Sequence, residues 1–245
     1  MRFLQKLERT TRVDRDTFLI QASSNMKVLH VGCVDSGLLD DRLAARAFLH
    51  TRLGVVAKEL WGLDTDADGV RRLRQMGFKN VYAGSAESPP SEIPHRYFDV
   101  IVAGEVIEHV RNAGRLLDSA ARLLVRDGRV VITTPNALRF YNPLPAILGR
   151  ELTHPDHVSW YSPHTLRRTV ELSSFHVESL HVYAQRPQAK CSVEMGRLQR
   201  STRNVANIVA PVVHAALVRF FPYLSDGLVV VGRLSSAGGE NEISR

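Results

Sequence analysis

Lys27-Val28-Leu29-His30-Val31-Gly32-Cys33-Val34-Asp35-Ser36-Gly37 is the stretch from which the rest of this chain can be read. A short run of branched apolar residues stops at two glycines five apart. It then gives way to the helix-like spacing of Leu39 to Leu53, so the segment reads as strand, tight turn and helix. Glycine suits a turn whose backbone takes positive φ or comes close to a ligand, and the helix that follows offers free N–H groups to a polar or anionic guest. Leu60-Trp61-Gly62-Leu63-Asp64 reads as the next strand, and an acid at its end can accept hydrogen bonds from both hydroxyls of a ribose.

The same alternation continues. Thr65-Asp66-Ala67-Asp68 caps a helix that ends at Gly77, and Val81 to Gly84 is a third strand. Phe98 to Ala103 is nearly continuously apolar, as a strand buried on both faces should be, and it delivers Gly104 and Glu105 to the carboxyl edge where open α/β sheets bind ligands. Leu116, Leu117, Ala120, Ala121, Leu123 and Leu124 form a helical stripe, and Asp127-Gly128 turns into a fifth strand over Arg129 to Thr134. Pro163 opens a helix reaching about Ser173, Phe175 to Tyr183 alternates as a sixth strand, and Asp226-Gly227 leads into a last one over Leu228 to Val231. This predicts an α/β chain, a Rossmann-like doubly wound sheet of seven mostly parallel strands with helices on both faces. A helical cap over residues 1–25, amphipathic from Arg2 to Ala22 and interrupted near Thr10, would precede the main domain at 26–235. Insertions at 137–162 and 185–225 would sit on the substrate side, and 236–245 reads as a disordered tail.

With 245 residues and 44% hydrophobic content the chain can bury one full core. Cys33 and Cys191 stand far apart, which gives neither a metal spacing nor a disulfide framework and points to a reducing compartment. The first sixteen residues are charged and lack an apolar core, so a cytoplasmic location is expected. A net charge of +7 admits a polyanionic partner, but the arginines are spread and no aromatic interleaving accompanies them. Val205 to Phe221 is apolar yet broken by Asn207, Pro211, His214 and Arg219. It reads as a packed helix, with a surface-lying membrane contact as the alternative.

These motifs, in order and spacing, resemble the class I S-adenosylmethionine-dependent methyltransferases over roughly Met26 to Tyr183; Gly128 to Asn136, with Thr134-Pro135-Asn136, completes the set. The resemblance implies that the last strand is antiparallel and that S-adenosylmethionine lies against Gly32, Cys33, Gly37, Asp64, Ser85, Ala86 and Gly104. Two departures stand out. His30 holds the place of an acid in the first turn, and Ser85 replaces the acid beside the adenine.

Glu105-Val106-Ile107-Glu108-His109 follows the fourth strand, and on a helix the first, fourth and fifth of these residues would share one face. His154-Pro155-Asp156-His157 with Trp160 could fold over the same edge. The combination is similar to small-RNA 2′-O-methyltransferases and, in part, to ubiquinone-pathway O-methyltransferases. It implies Glu105, Glu108, His109 and His157 as ligands of Mg²⁺ or Mn²⁺, with His154 as a substitute for His157. The competing reading is that acids in a first turn answer only the helix dipole, leaving His109 or His157 as general base beside Glu105. Either route leads to an O-methyltransferase acting on a small-molecule, lipid-linked or glycan hydroxyl. RNA 2′-O-methylation and a non-catalytic cofactor-binding fold are the alternatives.

Overall fold

A computed structural model describes residues 3–143, 145–184 and 213–235. Seven strands form one sheet in the order β3-β2-β1-β4-β5-β7-β6. They are β1 (Lys27–Val31), β2 (Glu59–Asp64), β3 (Val81–Ala83), β4 (Phe98–Gly104), β5 (Leu124–Pro135), β6 (Phe175–Tyr183) and β7 (Gly227–Leu234). The pairs from β3 through β5 are parallel, and β7 runs antiparallel to both β5 and β6. The helices are α1 (Arg15–Ala22), α2 (Leu39–Ala44), α3 (Leu49–Val56), α4 (Ala67–Gln75), α5 (Ala113–Leu123) and α6 (Pro163–Glu171), with a further helix over 213–220.

Alternation along the central strands divides the core. Leu29 and Val31 of β1, Ile101 and Ala103 of β4, and Val130 and Ile132 of β5 pack toward α5 and α6 with Leu116, Leu117, Leu166 and Val170. The intervening Val28, Val100, Val102 and Val131 pack toward α1 and α3 with Leu19 and Leu49. Successive residues at the ends of these strands therefore project to opposite faces of the sheet, which governs the site below.

Three expected elements differ. The helix expected from Asp40 to Leu53 is two helices, because Arg46 takes φ +52 and the N–H groups of Arg46 and Ala47 close back onto the Leu43 and Arg42 carbonyls. This is a Schellman stop made without glycine, and it turns Phe48 and His50 into the core. The amphipathic helix expected over Arg2 to Ala22 is helical only from Arg15. Upstream, Thr11 and Val13 exchange backbone hydrogen bonds with Val182 at the free edge of β6, and the exposed Phe3 and Leu4 have no part in the core. The fifth strand begins at Leu124 rather than Arg129. Much of the expected 185–225 insertion and the 236–245 tail lie outside the described residues. Among the described residues, no helix is long and apolar enough to cross a membrane.

His30 stands where an acid is expected. Its ring is buried against His50 on α3 with the two Nδ1 atoms 3.1 Å apart, so one nitrogen donates and the other accepts. Burial lowers the pKa of both, His50 to about 4, and each charge would further oppose the other at His30. Both rings are therefore neutral in the folded chain, while the unfolded chain takes up protons below the ordinary imidazole value. Stability should fall as pH drops from about 6.5 toward 4, by on the order of 3 kcal/mol for His50 alone. Urea midpoints measured across that window should show this loss, and His50→Leu should at least halve it.

Candidate active site at the carboxyl edge of the sheet

Gly32 follows β1 with φ +76, and a Cβ there would lie 2.7 Å from the Val106 side chain, so glycine is required twice over. Gly37 also has positive φ, +79, but a Cβ there would meet open space, so it serves the turn alone. Cys33 is fully buried against Gly62, its thiol pushed up by burial. It can offer a ligand only its backbone.

Asp64 ends β2 and orders the turn. One oxygen accepts the Val34 N–H at 2.8 Å and the other the Asp66 N–H at 2.9 Å, while partial burial raises its pKa. A carboxylate has about four acceptor sites, more than these backbone donors fill, which fits the ribose of S-adenosylmethionine. Ser85 Oγ accepts the Glu87 N–H, so this serine shapes the loop beside Ala86 and keeps its O–H and a second lone pair for a ligand. The residues that would hold S-adenosylmethionine, namely the Gly32 turn, Asp64 and the backbone near Ala86, therefore fit a nucleoside with an amino-acid tail.

Glu105 follows Gly104 with φ +57, and only a turn follows, with the His109 N–H on the Val106 carbonyl. The helical face on which Glu105, Glu108 and His109 were to converge is not formed. The two carboxylates are also drawn apart by consecutive residues of β5. Glu105 Oε1 accepts from Thr133 Oγ1 at 3.0 Å and from Tyr183 at 2.6 Å, on the face covered by α1. Glu108 Oε2 accepts from Thr134 Oγ1 at 3.0 Å toward the opposite face, and its Oε1 is buried without a partner. Burial and then Glu105 push the Glu108 carboxyl up to about 8.

His109, His154 and His157 do come together, each presenting a ring nitrogen within 4.8 Å of the others. The loop is pinned there because Val158 and Ser159 both donate to the Glu108 carbonyl, which sets the His157 ring against His109 at 4.6 Å between centroids. His157 has its pKa lowered by burial and then by His109 and His154. Among the described residues the cluster is made of imidazoles alone, without the Glu105 and Glu108 carboxylates that a hard ion such as Mg²⁺ or Mn²⁺ would need.

The sequence reading missed Arg15. Its Nε donates to Thr133 Oγ1 at 3.0 Å and lies 3.9 Å from Glu105, and one guanidinium nitrogen would touch a Cβ added at Gly104. This places a cation at the mouth of the sheet. Nothing local marked it among the many arginines, because its role comes from α1 docking over β5. Tyr183 was likewise read only as the end of a strand.

Removing the hydroxyl in Tyr183→Phe should cost about 1–3 kcal/mol, as for a hydrogen bond to a charged group. Gly227→Ala, whose new Cβ would overlap the Tyr183 ring, should cost about as much by overpacking. Chemical denaturation of the two variants checks both values.

A family model for a methyltransferase domain matches residues 5–180. The ubiquinone biosynthesis O-methyltransferase of Dechloromonas aromatica is 29% identical over 178 residues, which is 67% of this chain and 70% of that protein. The enzyme of the same name from Nitrosomonas europaea is 30% identical over 136 residues, 54% of this chain and 53% of its own. The chain thus spans about half to seven tenths of these relatives. Among solved structures, a SAM-dependent methyltransferase from Archaeoglobus fulgidus aligns with a TM-score of 0.56 at 17% identity, covering 89% of this chain and 91% of that one. The partner of the Trm112 methyltransferase activator in a Haloferax volcanii complex aligns with a TM-score of 0.55 at 12% identity, covering 92% and 95%. The chain belongs to the methyltransferase-domain family and has the fold of the S-adenosylmethionine-dependent methyltransferases.

Proposed function

We propose that this protein transfers a methyl group from S-adenosylmethionine to a hydroxyl of a small-molecule, lipid-linked or glycan acceptor. The observation that carries the reading is the clustering of the His109 and His157 imidazoles at the carboxyl edge of the sheet, the edge that also carries Gly32, Asp64 and Glu105. The relatives that bear an O-methyltransferase name support oxygen as the acceptor atom.

When bound, S-adenosylmethionine supplies an electrophilic methyl carbon. The chain's own task is to hold the acceptor in line and take its proton. Asp64 would accept hydrogen bonds from the ribose, and Arg15 is the cation suited to the amino-acid carboxylate. A neutral imidazole of His157 or His109 would receive the acceptor proton, with Glu105 fixed nearby by Thr133 and Tyr183. The exposed Ile147 and Leu148, on the segment after β5, suit an acceptor with an apolar tail.

Calorimetry with S-adenosylmethionine and its demethylated product tests the cofactor half. Asp64→Ala should weaken binding by about tenfold or more, as for a lost pair of hydrogen bonds to a charged group. Absence of binding to the parent chain would favour a non-catalytic cofactor-fold protein. For the acceptor half, methyl transfer to catechol and quinol acceptors should fall by about 10²–10⁴ in His157→Ala, with cofactor binding unchanged, if that imidazole takes the proton. Transfer to RNA in preference to every small hydroxyl would replace the proposed acceptor.

A further inference from the structure

We propose that His109, His154 and His157 form a nitrogen-only site for a borderline divalent transition metal such as Zn²⁺, Co²⁺ or Ni²⁺, one that discriminates against Mg²⁺ and Mn²⁺. Three imidazoles suit such ions, whereas the hard cations take carboxylates, carbonyls and water.

The ring nitrogens lie within 4.8 Å of one another. Tetrahedral coordination at a Zn–N bond of about 2.1 Å needs about 3.4 Å between ligands. The gap would be closed by turning partly exposed rings, His109 on the turn after β4 and His154 and His157 on the segment after β5, while the backbone of the latter stays pinned to the Glu108 carbonyl.

The surroundings also have the outer contacts of a ligand set. His109 Nδ1 donates to the Asp156 carbonyl at 3.2 Å, which leaves Nε2 its lone pair. His154 Nδ1 accepts the Asp156 N–H at 3.2 Å, so this nitrogen holds the lone pair, and a cation bound there would replace one long hydrogen bond. His157 Nδ1 is buried with no partner. Asp156 thus touches two of the three rings, and the third carries an unused donor or acceptor. Neither Glu105 nor Glu108 places an oxygen in this cluster: Thr133 and Tyr183 hold Glu105, and Thr134 holds one oxygen of Glu108.

Only the position of this site beside the acceptor rests on the methyl-transfer reading, in which the metal-free imidazoles take the proton; the binding is measured without cofactor or acceptor. Trp160 provides the signal, its ring centroid 6.2 Å from that of His157. Full-length chain dialysed against chelator is titrated with Co²⁺ or Ni²⁺, following tryptophan quenching and the visible bands of Co²⁺, with stoichiometry from equilibrium dialysis. The expected result is one ion per chain, undisturbed by a hundredfold excess of Mg²⁺. His109→Ala, His154→Ala and His157→Ala should each weaken binding by at least about 100-fold, beyond the 10–100-fold typical of losing an outer-shell partner. Glu105→Gln and Glu108→Gln should leave it within about twofold, with circular dichroism confirming that every variant is folded. No stoichiometric binding by the folded parent chain would overturn the proposal. So would binding that is lost in Glu108→Gln but kept in His154→Ala, or displacement by Mg²⁺. The same samples tested by calorimetry with S-adenosylmethionine report the cofactor half independently, so failure of either reading is seen separately.

Discussion

The carboxylate of Glu105 is where four separate stretches of the chain meet. Arg15 arrives from the N-terminal helix, Thr133 from the fifth strand and Tyr183 from the end of the sixth, while the carboxylate itself follows the fourth strand in a left-handed backbone conformation. A residue other than glycine takes that conformation at a cost, so the surrounding contacts must over-determine it. Two donors on one oxygen and a guanidinium alongside do so. The network docks the first helix across the mouth of the sheet and fixes the course of the turn that carries Glu108 and His109.

From this constraint the division of labour at the edge follows. Successive residues of a strand face opposite ways, so Thr133 and Thr134 capture the two glutamates on opposite sides of the sheet. The imidazoles are left together above the edge, held by a loop whose amides hang on the Glu108 carbonyl. Carboxylate, guanidinium and glycine turn thus share the mouth of the sheet with a cluster of nitrogen bases. A hydrogen-bonded pair of neutral histidines replaces an acid beneath the turn, trading a charge near the Gly32 loop for buried ring packing against Phe48 and Phe78.

The sequence was most legible where chemistry is local. A glycine at positive φ, an acid ending a strand and alternating apolar residues are properties of a few neighbours, so Gly32, Asp64 and the strands were read nearly in place. The break after Ala44 was hidden because Arg46, not glycine, occupies the left-handed position of the helix stop. The N-terminal stretch was hidden too, since its extended course depends on the free edge of β6 far along the chain. Arg15 could be found only once α1 was placed.

By itself the sequence determined a doubly wound α/β sheet with an acid and a glycine turn at its carboxyl edge, because strand period, turn conformation and capping are set within a few residues. Which of the acids and imidazoles that reach this edge would face one another was decided by tertiary structure alone. Helical spacing predicts convergence only if the segment is a helix, and the Glu105 backbone, held by partners from three distant elements, makes it a turn.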